Sequence, residues 1–353
     1  MEITRVFRSL LFCVALIGVP ATVARAADEK PAAAAAAAAA NDKPLRVGII
    51  GLDTSHVIAF TKAINDPKTH AGLENLKIVA AYPGGSKDLP ASWDRVEKYT
   101  QQVKEMGVEI VDSIPALLEK VDVVLLESVD GRPHLEQAKP VFEAHKPVFI
   151  DKPLAGSIAD GIAIAELGKK SGTPWFSASS LRYSPSIASM AHSKEAGDVL
   201  GCVAWSPCEI NKTHPDLFWY GIHGVESLFT IMGPGCVSVS RTHTEGTDVA
   251  TGVWSDGRVG TFRGIRKGKA DYGAIVFGSR ANVPTAGYGG YEPLLVEIAK
   301  FFKTGKPPVT PEQTLEILAF MQAADESKAQ GGKSVTIESV MEKAKAEAAA
   351  KLK

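Results

Sequence analysis

The sequence predicts an α/β fold, a doubly wound parallel sheet followed by an α+β domain on a mainly antiparallel open sheet. Three observations carry this. Short, continuous apolar runs alternate with helical patterns from Leu45 to Ser177. After about residue 180 the alternation gives way to strand-like segments joined by turns. A length of 353 residues suits two domains better than one core.

Leu45–Gly51 (LRVGIIG) reads as a strand buried on both faces, because such strands lack polar alternation. Thr54–Asn65 reads as a helix, Lys77–Tyr82 as a strand, Ser92–Lys104 as a helix and Val108–Val111 as a short strand. Asp122–Leu126, Pro147–Ile150 and Pro174–Ser177 continue the strand series, with helices at Pro133–Ala144 and Ser157–Lys170 between them. This spacing implies right-handed βαβ crossovers. Beyond it, Val203–Ile210, Val237–Thr244, Ala250–Trp254, Val259–Gly264 and Gly273–Phe277 read as strands, with Asp256-Gly257 as a hairpin signal. Gly221–Met232, Tyr291–Lys303 and Pro311–Lys328 read as helices. The divisions follow as a 44–178 dinucleotide-binding domain, a 179–335 α+β domain whose last helices return to the first, and a 336–353 tail helix.

Ahead of these domains, Arg5 and Arg8 precede an apolar run, Leu10 to Ala24, and Ala24-Arg25-Ala26 has small-x-small cleavage spacing. Residues 1–26 read as a secretory signal peptide and 27–43 as an alanine-rich linker, so a periplasmic or secreted protein is expected. Arg5 and Arg8 are not adjacent, so the twin-arginine signature is missing. No second apolar span follows, and no membrane partner is expected. A formal net charge of −1 gives no electrostatic reason to seek nucleic acid. Arg263, Arg266, Lys267 and Lys269 form a short, glycine-interrupted basic run that reads as a solvated turn. Cys202, Cys208 and Cys236 lack CxxC spacing and read as buried small hydrophobes.

A strand running into a glycine turn and a helix is where a pyrophosphate meets helix N–H groups. Here the turn is Gly51-Leu52-Asp53-Thr54-Ser55-His56, which keeps only the first glycine of G-x-G-x-x-G. Asp53 is expected to cap the first helix, which would set a carboxylate where a pyrophosphate sits. Asp53, His56, Glu127, Asp130 and His134 are expected around one crevice. That mix suits a divalent metal or a polar substrate, but the spacing is not diagnostic and no metal ligand is assigned.

Several segments together resemble the oxidoreductase family of glucose–fructose oxidoreductase and inositol dehydrogenase (Gfo/Idh/MocA). They are Val47–Gly51, Ser128–Ala138 (SVDGRPHLEQA) after the fourth strand, PVFIDKPLA (147–155), Leu181–Pro185, Gly197–Gly201, Tyr220–Gly233 and Phe301–Ala324. The resemblance implies a Rossmann domain, a second sheet domain, NAD or NADP as cofactor, a sugar- or cyclitol-like substrate, and a homo-oligomer. It implies an NAD(P)-dependent oxidoreductase acting on a CH–OH group.

Residue by residue, Asp151-Lys152-Pro153 matches the family's E/D-K-P motif, whose lysine lies beside the nicotinamide and the reacting hydroxyl. His223 matches the histidine of G-x-H-x-x-D, with Glu226 one turn on as its orienting partner. Gly51, Asp53, Thr54, Ser55, His56, Ser128, His134 and Asp151 fall at cofactor-side positions, His134 with a structural role as an equal alternative. Arg182, Tyr183, Trp219 and His223 fall on the substrate side, although Arg182 and Tyr183 equally suit packing between domains.

The chain also departs from the family. Trp219 stands where inositol dehydrogenase-like members carry an aspartate, so the proton relay is incomplete or rebuilt through Glu226 or Asp216. The second strand ends in Tyr82-Pro83-Gly84-Gly85-Ser86-Lys87 instead of an acid. Ser86 and Lys87 either receive a ribose phosphate, favouring NADP, or simply form a glycine turn. These departures leave a second reading open, in which nicotinamide binding is weakened or lost and the protein binds, hydrolyses or eliminates a carbohydrate.

Overall fold

The computed structural model describes residues 43–66 and 71–352. The signal peptide and nearly all of the linker expected from sequence lie outside them. Six parallel strands form the first sheet: β1 (Leu45–Ile50), β2 (Leu76–Tyr82), β3 (Glu109–Ile110), β4 (Val123–Leu126), β5 (Val148–Ile150) and β6 (Trp175–Ser177), in the order β3-β2-β1-β4-β5-β6. Every residue of β4, β5 and β6 is buried, which is why these strands read as unbroken apolar runs. The helices between them are α1 (Ser55–Asn65), α2 (Pro90–Glu105), α3 (Ile114–Leu118), α4 (His134–Glu143) and α5 (Ile158–Ser171). The strand order reverses between β1 and β4, and the carboxyl ends of β1, β4 and β5 open there on one crevice.

The second sheet has seven strands: β7 (Val199–Pro207), β8 (Cys236–Thr244), β9 (Thr247–Trp254), β10 (Val259–Ile265), β11 (Gly273–Gly278), β12 (Asn282–Ala286) and β13 (Val335–Thr336). Their order is β12-β11-β7-β10-β9-β8-β13, antiparallel throughout except between β7 and β10. The Asp256-Gly257 hairpin joins β9 to β10, with Gly257 at φ 86°.

Against this sheet lies α6 (Ile222–Met232), buried on nearly every side. Gly224 permits the approach, since a Cβ there would stand 2.3 Å from the Phe262 ring. Next, α7 (Glu292–Thr304) sends Leu294, Ile298 and Phe301 into the core of the first sheet, where the Phe301 and Phe176 ring centroids are 5.0 Å apart. The following helix, α8 (Pro311–Ala329), begins in a capping box of Thr310 and Gln313 and packs on both β8 and α5. The chain closes on α9 (Ile337–Lys351). One of the two apolar core clusters runs from Val124 and Ile150 through Leu318 to Phe262 and Trp254, so both sheets share it.

One sequence expectation is corrected here. Arg266 is not solvated, because it pairs with the buried Asp248 and also donates to the Thr244 and Glu245 carbonyls. Cys202, Cys208 and Cys236 are buried free thiols. Among the described residues no helix is long and apolar enough to cross a membrane.

Candidate functional site

The turn after β1 depends on Gly51. Its φ is 92°, and a Cβ would lie 2.5 Å from the Ser128 backbone nitrogen, so only glycine fits between the turn and the loop after β4. The next two residues fold inward. Leu52 N–H donates to the Pro83 carbonyl at 2.7 Å. The Asp53 carboxylate accepts from Val129 N–H at 2.9 Å and from the Ser92 hydroxyl at 2.6 Å. Burial pushes the Asp53 carboxyl up, and those two donors oppose the shift. Thr54, not Asp53, caps α1, accepting from His56 N–H at 3.4 Å. The expected cap is therefore corrected, because the Asp53 side chain is committed to the β4 and α2 side of the turn.

A cavity of about 250 Å³ opens where α1 begins. Thr54, Ser55 and His56 form one wall, with Arg95 and Val129 beside them. Lys152 enters from the end of β5, and His223 from the first turn of α6. Four of the chain's seven tyrosines, Tyr220, Tyr272, Tyr288 and Tyr291, complete the lining with Ser180 and Leu181. Tyr220 and Tyr272 bring their hydroxyls to 3.4 Å, and Tyr288 accepts from Ser180 Oγ at 3.3 Å.

The His223 ring is fixed through Nδ1, 2.8 Å from Ser179 Oγ, and Tyr220 meets it edge-on at 5.0 Å. Burial and the Lys152 charge hold its pKa well below the ordinary imidazole range. The ring is therefore neutral near pH 7 and has a nitrogen able to take a proton. Glu226 does not orient it. Its carboxylate pairs with Arg182 Nε, while Ser179 supplies the ring's partner. Asp216 does not rebuild a relay either, because Arg241 and Lys328 hold it.

Other candidates take up positions away from the cavity lining. Arg182 is spent on Glu226, and Tyr183 packs against the first-sheet core. Trp219 packs against His214 with ring centroids 4.9 Å apart and planes tilted by 48°. His134 holds the Ser128 and Leu154 carbonyls at 2.9 and 3.0 Å, tying the β4 loop to the β5 loop. Ser128 Oγ donates to Gln137 at 2.9 Å. Ser86 N–H donates to Ser92 Oγ at 2.8 Å, and the Lys87 ammonium lies 5.5 Å above the Trp93 ring.

Asp130 is likewise occupied, by Arg132 and by His214 Nε2 at 3.0 Å. Burial opposes its ionisation, but these donors outweigh burial and hold the carboxyl well below its usual range. Arg132 also reaches Asp88 at 2.8 and 2.9 Å, clasping the β2 loop to the β4 loop.

Of the five residues expected around one crevice, only His56 and Glu127 converge, and Asp151 joins them. Leu126 and Ile150 are paired across β4 and β5, so the residues that follow, Glu127 and Asp151, emerge side by side. His56 leans over both, with Nδ1 3.0 Å from Asp151 Oδ2 and 3.5 Å from Glu127 Oε2. Phe60 stacks on the ring from one side and Tyr291 meets it edge-on. Burial opposes charge on His56, but the two acids outweigh it and raise the ring's pKa.

Sequence reading did not identify Ser179, Arg95 or the tyrosines. The signal available was a tyrosine–glycine pairing at Tyr220-Gly221, Tyr272-Gly273 and Tyr288-Gly289.

Comparison with known proteins bears on this geometry. Residues 45–178 match the family model described as the oxidoreductase family with an NAD-binding Rossmann fold (GFO_IDH_MocA). No curated protein matches the chain in sequence. Among solved structures it is similar to scyllo-inositol dehydrogenase from Lactobacillus casei with bound NAD(H) and scyllo-inositol, at 15% identity and a TM-score of 0.66, covering 84% of this chain and 100% of that one. It is similar to myo-inositol 2-dehydrogenase from Lactobacillus plantarum at 18% identity and TM-score 0.68, covering 83% and 99%. An oxidoreductase from Thermotoga maritima gives 19% identity and TM-score 0.67, covering 84% and 100%. At these identities the likeness to solved structures is one of fold. The family model adds that residues 45–178 are similar to the Gfo/Idh/MocA oxidoreductases, a family described by its NAD-binding Rossmann fold.

Proposed function

We propose that the protein is an NAD(P)-dependent oxidoreductase that interconverts a hydroxyl and a carbonyl on a small sugar, cyclitol or related polyol. The observation that carries this is the meeting of Lys152, from the first sheet, with His223, from the helix on the second sheet, at one tyrosine-lined cavity. A cavity of about 250 Å³ lies below the roughly 300–1,000 Å³ of drug-sized pockets and suits a single ring. Tyrosine offers an apolar face and a polar tip, which matches a polyol ring.

The dinucleotide has a compatible place. Gly51 lets the β1 turn pack against the β4 loop, Thr54 and Ser55 open α1 on the cavity, and the Asp53 carboxylate is drawn out of the crevice. Gly51, Thr54 and Ser55 would hold the phosphates, with Lys152 beside the nicotinamide. When bound, the nicotinamide supplies the hydride acceptor or donor. The chain's own groups handle the proton: neutral His223 takes it from the hydroxyl, and the Lys152 ammonium stabilises the developing alkoxide.

A second reading keeps the cavity for carbohydrate binding, hydrolysis or elimination without the cofactor. It is favoured by β2 ending in Tyr82 in place of an acid and by the Arg132–Asp88 clasp beside that loop. The exposed Leu200, Val253, Val259 and Phe277 on the second sheet support a homo-oligomer. Arg5, Arg8 and the Ala24-Arg25-Ala26 site support export to the periplasm or beyond.

The test pairs calorimetry of NAD⁺ and NADP⁺ with turnover assays on cyclitols and hexoses, followed by the absorbance of reduced nicotinamide. Binding of one dinucleotide together with polyol-dependent reduction is expected. No binding at millimolar dinucleotide would defeat the cofactor-dependent reading and leave the second one.

A further inference from the structure

His56 lines the cavity and, on its buried side, meets two acids that the proposed reaction does not use. Glu127 and Asp151 have side chains 0% and 1% exposed, and His56 is 8% exposed. Both oxygens of each carboxylate, together with His56 Nδ1, are buried without a partner in hydrogen-bonding geometry. Buried polar groups are nearly always satisfied, and buried carboxylates need a cation or a set of donors. Other buried acids nearby have them. Asp53 holds a backbone N–H and a hydroxyl, and Asp130 holds a guanidinium and an imidazole.

The spacing of the unpartnered atoms is informative. One ligand atom from each of the three residues lies within 4.8 Å of the others. The 3.0 and 3.5 Å separations from His56 Nδ1 match the edges of a coordination sphere. With bonds of about 2.0–2.2 Å, neighbouring ligands stand roughly 2.9–3.5 Å apart between octahedral and tetrahedral arrangements.

We propose that His56, Glu127 and Asp151 bind a divalent transition-metal ion through Nδ1 and one oxygen of each carboxylate. One imidazole with two carboxylates is a donor set for Zn²⁺, Mn²⁺, Fe²⁺ or Co²⁺. Ca²⁺ and Mg²⁺ favour all-oxygen sites, and Cu⁺ favours sulfur. Two carboxylates neutralise the ion's charge, so His56 binds as the neutral ring and gives up the proton it would otherwise carry between the acids. Three protein ligands leave a coordination position open. Because His56 also lines the cavity, a hydroxyl or water bound there would be acidified next to Lys152 and His223. The proposal does not depend on nicotinamide binding and is tested without it.

The experiment uses the untagged full chain, stripped with chelator and titrated with Zn²⁺ or Mn²⁺ alone by calorimetry. One equivalent should bind and raise Tm. Glu127→Gln and Asp151→Asn should each weaken binding by more than ~10²-fold, because losing a residue that only orients a ligand already costs about 10–100-fold. Should a variant fail to fold, the visible spectrum of Co²⁺ added to the native chain reads the site directly, and bands shifted from the aqueous ion support the proposal. It is overturned by no binding, by an aqueous Co²⁺ spectrum, or by stoichiometric binding that both substitutions leave intact. Protonated His56 would then be the cation between the acids.

Discussion

Two of the buried clusters of charge among the described residues are built in different ways. Behind β8, Arg241 is almost fully buried and donates to Asp248 at 2.8 Å, to Asp216 at 2.9 Å and to Asp325. Arg266 and His243 complete Asp248. Burial works against ionising Asp248 and Asp216, but hydrogen bonds from Arg241 and Lys328 prevail and hold both carboxyls below their usual range. A guanidinium cannot give up its proton, so the cation of this cluster is fixed, although burial pushes the Asp325 carboxyl up to about 7. At the mouth of the first sheet, Glu127 and Asp151 face a single imidazole, with the Lys152 charge nearby and no guanidinium. In the first cluster only Asp325 Oδ2 lacks a partner, whereas in the second both oxygens of each carboxylate do. A nearly satisfied cluster holds two chain segments together, whereas an unsatisfied one behind a cavity-lining residue is able to accept something.

The largest effect expected falls on turnover. Lys152→Ala and His223→Ala should each reduce it by about 10²–10⁴, or ~3–5.5 kcal/mol of barrier, with the fold retained because both residues sit at a cavity. Since His223 is held below the ordinary imidazole range, it remains the neutral base down past pH ~6.5. The acid limb of kcat/KM attributable to it should lie below that pH and vanish in His223→Ala. Full turnover in either variant removes that residue from the mechanism.

Arg241→Met comes next and strikes the first cluster. It takes from Asp325 its guanidinium and from Asp248 and Asp216 one partner each, and removing one partner of a buried ion pair costs about 3–5 kcal/mol. Chemical denaturation should show a loss of that size. A loss under ~1 kcal/mol would mean that water reaches these acids and that the contrast between the clusters is false.

The comparison is sharpened by one isosteric change in each cluster. Asp248→Asn breaks charge-assisted bonds to Arg241 and Arg266 and should cost about 1.5–3 kcal/mol at neutral pH. The Asp248 pKa is lower folded than unfolded, so its contribution is complete above pH ~4 and disappears as pH falls through the folded value. Glu127→Gln removes a carboxylate that no donor satisfies and should leave metal-free stability unchanged or higher. Equal losses in the two variants would place Glu127 among the structural ions.

How far these clusters could be read from sequence depended on what joins them. Lys152 and His223 were read from their match to two family motifs, at a strand end and a helix start, and both line the cavity. Asp151 was read only as part of the Asp-Lys-Pro motif, because nothing but the β4–β5 register brings it beside Glu127. Arg266 was taken for a solvated residue since its partner, Asp248, lies on another strand and is visible only once β9 pairs with β10. Elements of the first sheet were clear from their apolar runs, whereas β12 was hidden by Pro284, which an edge strand tolerates. The two-residue β13 carries too little pattern to be seen. The tyrosines reach the cavity from turns and from segments next to helices and strands, where no periodicity marks them.

Asp53 gives a small expected effect on dinucleotide affinity and bears most directly on the cofactor. Read from sequence, a carboxylate in the glycine turn would repel a pyrophosphate by ~4 kcal/mol at about 4 Å and an effective dielectric near 20. In the fold that carboxylate instead accepts from Val129 N–H and Ser92 Oγ, which hold it on the β4 and α2 side of the turn. Asp53→Asn retains the shape and one acceptor oxygen but turns an amide toward one of the two donors. A stability loss of about 1 kcal/mol follows, the usual worth of one hydrogen bond. Dinucleotide affinity should move by less than about threefold, under ~0.7 kcal/mol. Calorimetry on Asp53→Asn that finds NAD⁺ or NADP⁺ binding tightened by ~30-fold or more would show that the carboxylate swings into the crevice in solution, restoring the repulsion and favouring the reading without a cofactor.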